Sequence, residues 1–350
     1  MKRILNVVLI IIIMSTSTVN AQDISRVGTA AAQFLKLGVG AQAAGLGEAA
    51  VTIPGQVFGL YWNPGSIASV DRTSLAVSRN NLYADLAYSF VGFVQPIGGS
   101  SAIGISAVFL DSDDIEITTL SQPEGTGTNF SWEAYAIGIT YSRFVTDRLS
   151  LGGTIKYIRE GAYQLYAQNL ALDLGSLLNT GVLGLKLGMC LSNFGGEMSL
   201  TGPKLLVTHK RWPNNPGAVT ADANLKTEKY PMPLTFRIGL STQLVGTEGQ
   251  LATSNSNTIT ISADAYDPND ALMRSNFGLE YVWNNILSLR AGYRGLSVEK
   301  DKYESYHTAS FAFGGGLKYD FGFARIALDY AYTDFKILGT GQMVSMVVSF

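Results

Sequence analysis

The last ten residues, GQMVSMVVSF, predict a β-strand that ends on an aromatic residue. One face of this strand is wholly apolar and holds Val344, Met346, Val348 and Phe350. In water, such a strand would leave hydrophobic surface at the edge of a sheet. In a transmembrane β-barrel, the apolar face meets lipid and the last strand pairs with the first. The alternative is a C-terminal core strand of a soluble β protein.

Alternation with a period of two recurs along most of the chain and predicts further strands. In segment 234–243, Leu234, Phe236, Ile238 and Leu240 oppose Thr235, Arg237, Gly239, Ser241 and Gln243. Segments 135–142, 311–319 and 324–333 repeat the pattern, with aromatic residues on the apolar face and small or polar residues on the other. A soluble sandwich also alternates. Aromatic residues near strand ends favour a barrel that is apolar outside and polar inside.

The strand lengths and the connections favour a membrane barrel over a soluble sheet. The longer segments exceed the usual ~5–6 residues of soluble strands and suit a tilted membrane crossing. Short turns alternate with long loops, which is the outer-membrane pattern, although 246–257 is long on the side expected to be short. We predict an all-β fold, a 14-stranded antiparallel transmembrane β-barrel, with strands at 73–80, 85–97, 101–120, 132–145, 148–160, 167–178, 182–194, 233–245, 258–267, 273–283, 287–296, 308–320, 324–335 and 341–350.

The first 21 residues have the pattern of a secretory signal peptide. Lys2 and Arg3 precede an apolar run, and cleavage is expected after Ala21. The run is too short for a membrane helix. A formal net charge of −2 without blocks of like charge argues against nucleic acid as a partner. Because Cys190 is the only cysteine, an internal disulfide and a cysteine-cluster metal site are excluded.

Three motifs between the signal peptide and the first strand carry a family resemblance. They are TAAAQFLKLGVGA at 29–41, AGLGEA at 44–49 and YWNPGSIA at 61–68. Here the chain resembles the PorV/PorQ family, whose barrels are similar to the FadL fatty-acid channel. The resemblance implies that 22–70 forms an N-terminal plug, or hatch, in the lumen of a barrel formed by 71–350. Phe350 resembles the assembly signal of bacterial outer-membrane barrels.

The predicted inward faces also leave room for a plug, because they are crowded with Gly, Ala, Ser and Thr. Asn63, Pro64 and Gly65 read as a turn in this plug, since proline fixes φ and glycine is permissive. The turn is either structural or a gate that lines a ligand path. Gly45 and Gly47 are expected to pack closely against the barrel wall.

The sequence shows no catalytic signature, and we predict neither an enzyme nor a cofactor. His209 and His307 fall in predicted external loops, where a histidine is usually solvated, so no metal site is expected. No serine lies in a nucleophile-elbow motif. The acidic stretch from Asp111 to Glu116 is expected to be a solvated strand extension, with a calcium site as the alternative.

The long loop 195–232 is the predicted partner-binding element. Lys204, Lys210, Arg211 and Trp212 combine basic charge with an exposed aromatic ring. They suit contact with lipopolysaccharide phosphates or with a secreted protein. The alternative is a loop folded over the barrel mouth.

Three functions stay open for a protein expected in the outer membrane of a Gram-negative bacterium. The PorV-like resemblance implies type IX protein secretion, with the translocon and secreted cargo proteins as partners. The FadL-like resemblance implies a channel for hydrophobic small molecules. A structural barrel without transport is the third. We favour secretion, with the channel as its alternative.

Overall fold

The computed structural model describes residues 28–82, 86–210, 220–297, 310–336 and 339–350. The predicted signal peptide and the first residues of the predicted plug lie outside these ranges. Within them, no helix has both the length and the hydropathy of a membrane span.

One sheet runs through the described ranges and closes on itself. Fourteen long strands pair antiparallel with their neighbours in sequence, and β14 pairs with β1 through the register Ser74↔Ser349. The predicted fourteen-stranded barrel is confirmed. Its strands are β1 (Ser74–Asn81), β2 (Ala87–Ile97), β3 (Ser101–Asp111), β4 (Trp132–Thr146), β5 (Leu149–Ala162), β6 (Leu165–Asn179), β7 (Lys186–Gly195), β8 (Thr235–Gly246), β9 (Asn257–Pro268), β10 (Arg274–Trp283), β11 (Leu287–Ser297), β12 (Ser310–Asp320), β13 (Arg325–Asp334) and β14 (Thr340–Ser349).

The two faces of the wall differ as the alternation predicts. On β4, Ile139 is 67% exposed while the next residue, Thr140, is fully buried. On β12 and β13, large apolar side chains likewise point outward and small or polar ones inward. The outer face is therefore suited to lipid and the inner face to a packed lumen.

The structure departs from the predicted strands at β3, which ends at Asp111 rather than at 120. Beyond it, Ile115–Glu116 and Asn129–Phe130 pair as a separate two-stranded ribbon, and Thr119 forms an isolated bridge with Gln122. The acidic side chains of this segment are exposed, so the strand extension is short and solvated. On the opposite side, the long connection 247–256 contains Ala252–Thr253, which adds in parallel to the end of β8.

Residues 28–70 fold as short elements inside the barrel. They comprise 3-10 turns at Gln33–Lys36 and Pro64–Ser69 and two short helices, α1 (Ala41–Gly45) and α2 (Gly59–Trp62). Most of their side chains are buried, and backbone N–H groups such as those of Ala41 and Ala50 donate to inward-facing wall side chains. We call this segment the plug. The end of the barrel at which β1 begins and β14 ends is called the periplasmic side, and the opposite end is called the external side.

Candidate functional site

The Asn63–Gly65 turn is fixed to the wall formed by β4, β5 and β6. The Asn63 side-chain amide donates to the Ser176 carbonyl (2.9 Å), and its oxygen accepts the Gly65 N–H (3.0 Å). The hydroxyls of Ser142 and Ser150 donate to the Gly65 carbonyl at 3.1 and 2.7 Å. Because these groups are buried and mutually bonded, the turn has the geometry of an anchor. The gating role stays a hypothesis.

Replacing Gly65 with alanine is expected to loosen this anchor. The new Cβ would lie 2.9 Å from both the Gly175 carbonyl oxygen and the Ser176 Cα, and wall backbone cannot move aside. Overpacking of this kind costs about 1–3 kcal/mol. Limited proteolysis of the folded protein should cut the plug faster. Gly153→Ala on β5, where the Cβ meets nothing closer than 3.6 Å, is the control. Equal cleavage of both variants would contradict the anchor.

A second plug turn rests on a belt of wall glycines. The residues Gly45 to Gly47 face Gly278, Gly292 and Gly314, which belong to β10, β11 and β12. A Cβ on Gly47 would lie 2.8 Å from a β11 backbone nitrogen, and one on Gly45 would lie 3.0 Å from the Gly314 Cα. Plug and wall therefore meet here backbone to backbone, which only glycine allows. We call these three wall residues the glycine belt.

A polar cavity of about 210 Å³ lies on the external side of the glycine belt. Lys36 and Asp270 form an ion pair across it at 2.8 Å. Arg294 on β11 pairs with Glu48 of the plug at 2.9 Å. Plug and wall thus share complementary charges at this height.

A second polar cavity, of about 250 Å³, lies on the periplasmic side of the same belt. Its buried Arg290 donates to Glu280 at 2.7 Å and to Asp329 at 2.6 Å. Gln42 of the plug donates to Glu280 at 3.1 Å. The wall from β9 to β13 is therefore charged on both sides of the plug.

Buried groups that the sequence reading did not single out hold the centre of the plug. Arg237 lies between the rings of Trp62 and Tyr266, at 5.0 and 4.5 Å from their centroids. Burial raises the pKa of the Tyr61 hydroxyl, against the opposing effect of Arg237, and this hydroxyl donates to the Leu35 carbonyl at 2.9 Å. Arg237 lies on a predicted inward face. A single charged residue among small and polar ones was therefore the sequence signal that could have identified it.

Asp264 is the second such group, and it fixes the plug to β9. One of its carboxylate oxygens accepts the backbone N–H groups of Ala50 and Val51 at 2.8 and 2.9 Å. The sequence signal was again a charge on an inward face. Its partners, more than 200 residues away, could not be read from the strand pattern.

The predicted partner-binding residues are not brought together in the described part of the loop. Lys204 lies with its Nζ 4.8 Å from the Tyr163 ring centroid, at the rim of β5 and β6. Lys210 ends the exposed strand Leu206–Lys210, which also carries His209 and pairs with Thr220–Asn224. Arg211, Trp212 and His307 lie outside the described residues.

The base of this loop contacts the plug. The Ala31 N–H donates to the Pro231 carbonyl at 2.9 Å, and the Met198 N–H donates to the Tyr230 carbonyl at 2.8 Å. Met198 and Met232 are buried against the plug and the wall. This geometry agrees with a loop folded over the barrel mouth. Among the residues that the structure describes, no three His, Cys, Asp or Glu side chains are grouped to hold a metal.

Neither a protein-family model nor a curated protein matches the sequence. Solved structures do match the fold. The CymD monoaromatic hydrocarbon channel has a TM-score of 0.58 at 14% identity, over 89% of this chain and 98% of that one. The chain has the FadL-type barrel fold.

Two further structures agree with this fold. The Pseudomonas putida toluene transporter TodX gives a TM-score of 0.55 at 14% identity, over 89% and 97% of the two chains. A Pseudomonas aeruginosa FadL homologue gives 0.52 at 12% identity, over 89% and 98%. The FadL-like barrel implied by the resemblance is therefore confirmed as a fold. The narrower PorV/PorQ assignment has no support from these comparisons.

Proposed function

We propose that the protein is an outer-membrane channel for hydrophobic small molecules. The observation that carries this proposal is a continuous apolar contact between the plug and the wall strands β1 to β3, which we call the apolar seam. On the plug side it includes Phe34, Leu35, Val57, Leu60 and Val70, and on the wall side Ala76, Tyr88, Phe90, Val94, Ala102, Val108 and Leu110.

The apolar seam runs the height of the barrel. Leu110 lies at the external end of β3, and Ala102 lies at its periplasmic end. Val70 and Ala76 lie at the periplasmic end of the plug and of β1. A hydrophobic solute that parts plug from wall along this line meets mainly apolar side chains, which is the lining that such ligands require. Neighbours described as a hydrocarbon channel and a toluene transporter support the same class of solute.

The secretion hypothesis, which the sequence motifs favoured, lacks comparable support. Two of its four partner-binding residues, Arg211 and Trp212, lie outside the described residues. The other two, Lys204 and Lys210, lie apart on the rim and on an exposed hairpin. Secretion is therefore kept as an outcome of the test below.

A phenylalanine placed in the apolar seam is expected to reduce uptake of a hydrocarbon. Ala102 is fully buried on the inner face of β3, so Ala102→Phe obstructs the seam at an overpacking cost of about 1–3 kcal/mol. Ile103→Phe, one residue along and facing lipid, is the matched control. The measurement is uptake of radiolabelled toluene by cells that lack their own channel and express each variant.

The expected order is high uptake for wild type and Ile103→Phe, and several-fold lower uptake for Ala102→Phe at equal levels of folded protein. Uptake by wild-type cells that equals uptake by cells without the protein would refute the channel. If secreted proteins are also lost from the medium of cells lacking the gene, the secretion hypothesis takes its place.

A further inference from the structure

The two polar cavities lie on one wall and are separated by a single turn of the plug. Gln42 lines the periplasmic cavity and Glu48 lines the external one. Between them, Gly45, Leu46 and Gly47 rest on the glycine belt. Gln42 and Glu48 are only six positions apart, so a single short turn separates the cavity on the periplasmic side of the belt from the cavity on its external side.

The seal at this turn is formed by backbone and not by interlocking side chains. The closest approaches are those of Gly45 to the Gly314 Cα and of Gly47 to the backbone of β11. Leu46 meets Gly278 through its carbonyl oxygen and Cβ. A small movement of the turn away from the wall removes these contacts together, along with the packing of Ala44 against Ala331 and Met343.

The turn is tied to the wall through its side chains, whereas the segments on either side of it are tied through their backbone. Before it, the Ala41 N–H donates to the Ser345 hydroxyl at 3.1 Å, and after it Asp264 holds Ala50 and Val51. The turn itself is tied to the wall by the Glu48–Arg294 ion pair, whose side chains are about one-fifth and one-quarter exposed. Because both side chains are partly exposed, solvent screens part of their attraction.

Gln42 supplies the second tie of the turn, its hydrogen bond to Glu280. The backbone hydrogen bonds of the turn run within the turn, such as Glu48 N–H to the Ala43 carbonyl at 2.8 Å. The segment can therefore shift as a unit between two fixed ends without losing its own structure.

We propose that the Gln42–Glu48 turn is a gate, and that its opening joins the two cavities into a polar path for water and small ions along β9 to β13. This path follows a different part of the wall from the apolar seam, which follows β1 to β3. The two approach each other at Val57, which belongs to the seam and also lines the periplasmic cavity. The protein is then a two-path channel.

The lining predicts weak ion selectivity. Positive and negative side chains are nearly equal in number along the path. Selective pores use rings of charged side chains of one sign, whereas here the charges form pairs of opposite sign. The cationic residues are Lys36, Arg274, Arg290, Arg294, Lys318 and Arg325, and the anionic ones are Glu48, Asp71, Asp270, Glu280 and Asp329. The reversal potential in a salt gradient should lie near zero.

The first test is the conductance of the purified protein in planar lipid bilayers. In Gly47→Ala, the Cβ would lie 2.8 Å from the Tyr293 nitrogen, so the turn must leave the wall. We expect the mean conductance to rise about tenfold, as overpacking strain shifts the gate toward its open state. Gly98→Ala is the control, since Gly98 shares the left-handed φ (60° against 63°) but has no atom within 4 Å of its Cβ. Its conductance should equal that of wild type.

A second test locates the current. Ser288 lines the periplasmic cavity on β11, whereas Ala102 lies in the apolar seam. With Gly47→Ala, a charged methanethiosulfonate reagent should block the current through Ser288→Cys and leave the current through Ala102→Cys unchanged. The native Cys190 is buried, and Gly47→Ala without an added cysteine controls for its reaction.

The proposal fails if folded Gly47→Ala conducts no more than wild type, or if its current survives modification at Ser288→Cys. Should Gly47→Ala not fold, Glu48→Gln takes its place, because it removes the ion pair to Arg294 without adding atoms. Loss of one partly exposed pair should raise the conductance about two- to fivefold, and an unchanged conductance again refutes the gate. Toluene uptake by either variant should match wild type, which separates this path from the apolar seam.

Discussion

Replacing Lys156 with methionine is expected to lower the free energy of unfolding by about 3–5 kcal/mol, the usual cost of breaking a buried ion pair. Lys156 on β5 pairs with Asp173 on β6 at 2.8 Å and donates to the Asn193 side-chain oxygen at 2.6 Å. Asp173 is 1% exposed, so methionine leaves a buried carboxylate without its cation.

The same carboxylate also shapes the wall, which adds to the expected loss. Its second oxygen accepts the Asn193 N–H at 2.7 Å, where the register between β6 and β7 shifts. Asn193 has a left-handed φ of 63°, and its side chain donates to the Pro233 carbonyl at 3.1 Å. An unpaired Asp173 therefore strains a bulge on which the entry into β8 depends.

Chemical unfolding in lipid vesicles measures this effect. Lys336→Met is the matched control, because Lys336 pairs with Asp334 at 3.1 Å on the exposed external rim, and no measurable change is expected there. Adding Asp173→Asn to Lys156→Met removes the unpaired charge and should recover part of the stability. Equal stability of Lys156→Met and Lys336→Met would show that the lumenal pair contributes little.

The strands could be predicted from the sequence because lipid imposes the alternation directly. The predicted 287–296 and 324–335 differ from β11 and β13 by no more than one residue at either end. The pairing of β14 with β1 followed from the apolar face that carries Val344, Met346 and Val348, since a barrel leaves no other place for it.

Predictions failed where alternation continued beyond the membrane. Ile115 and Ile117 keep the period of two after β3 ends at Asp111, and the pattern does not say which strand pairs with them. The predicted start of β7 at 182 was four residues early, because Thr180 and Leu185 bond across a turn instead. Hydrogen-bond partners, and not local pattern, set these ends.

The plug was harder to predict than the barrel. The turn at Asn63–Gly65 was visible because proline and glycine mark turns locally. Its wall partners were not, since Ser142 and Ser150 read only as small residues of an inward face, and Ser176 contributes only its backbone carbonyl. The glycine belt could not be predicted for the same reason, because a glycine in a strand does not reveal which backbone segment approaches it.

Deletion of Phe350, or its replacement by aspartate, is expected to remove most of the folded protein. The Phe350 N–H donates to the Thr73 carbonyl at 2.9 Å, directly after the last residue pair between β14 and β1. The Phe350 ring is 59% exposed on the lipid side. The reason is kinetic rather than energetic. An acidic residue on the lipid face costs less than the ~2–4 kcal/mol of a basic one at mid-membrane, and less again near the interface. Such a cost leaves a closed barrel folded, so a large loss must arise when β14 is delivered to β1.

The control for Phe350→Asp is Phe323→Asp, which makes the same exchange at the same periplasmic end of the barrel. Phe323 is 82% exposed in the turn between β12 and β13 and contacts Phe321, but it takes no part in closing the barrel. We therefore expect normal amounts of heat-modifiable protein for Phe323→Asp, and little for Phe350→Asp. Similar losses in both variants would assign the effect to the interfacial aromatic residues in general. Normal amounts in both would remove the terminal aromatic as an assembly signal, and closure of the barrel would then rest on the eight register pairs of β1 and β14 alone.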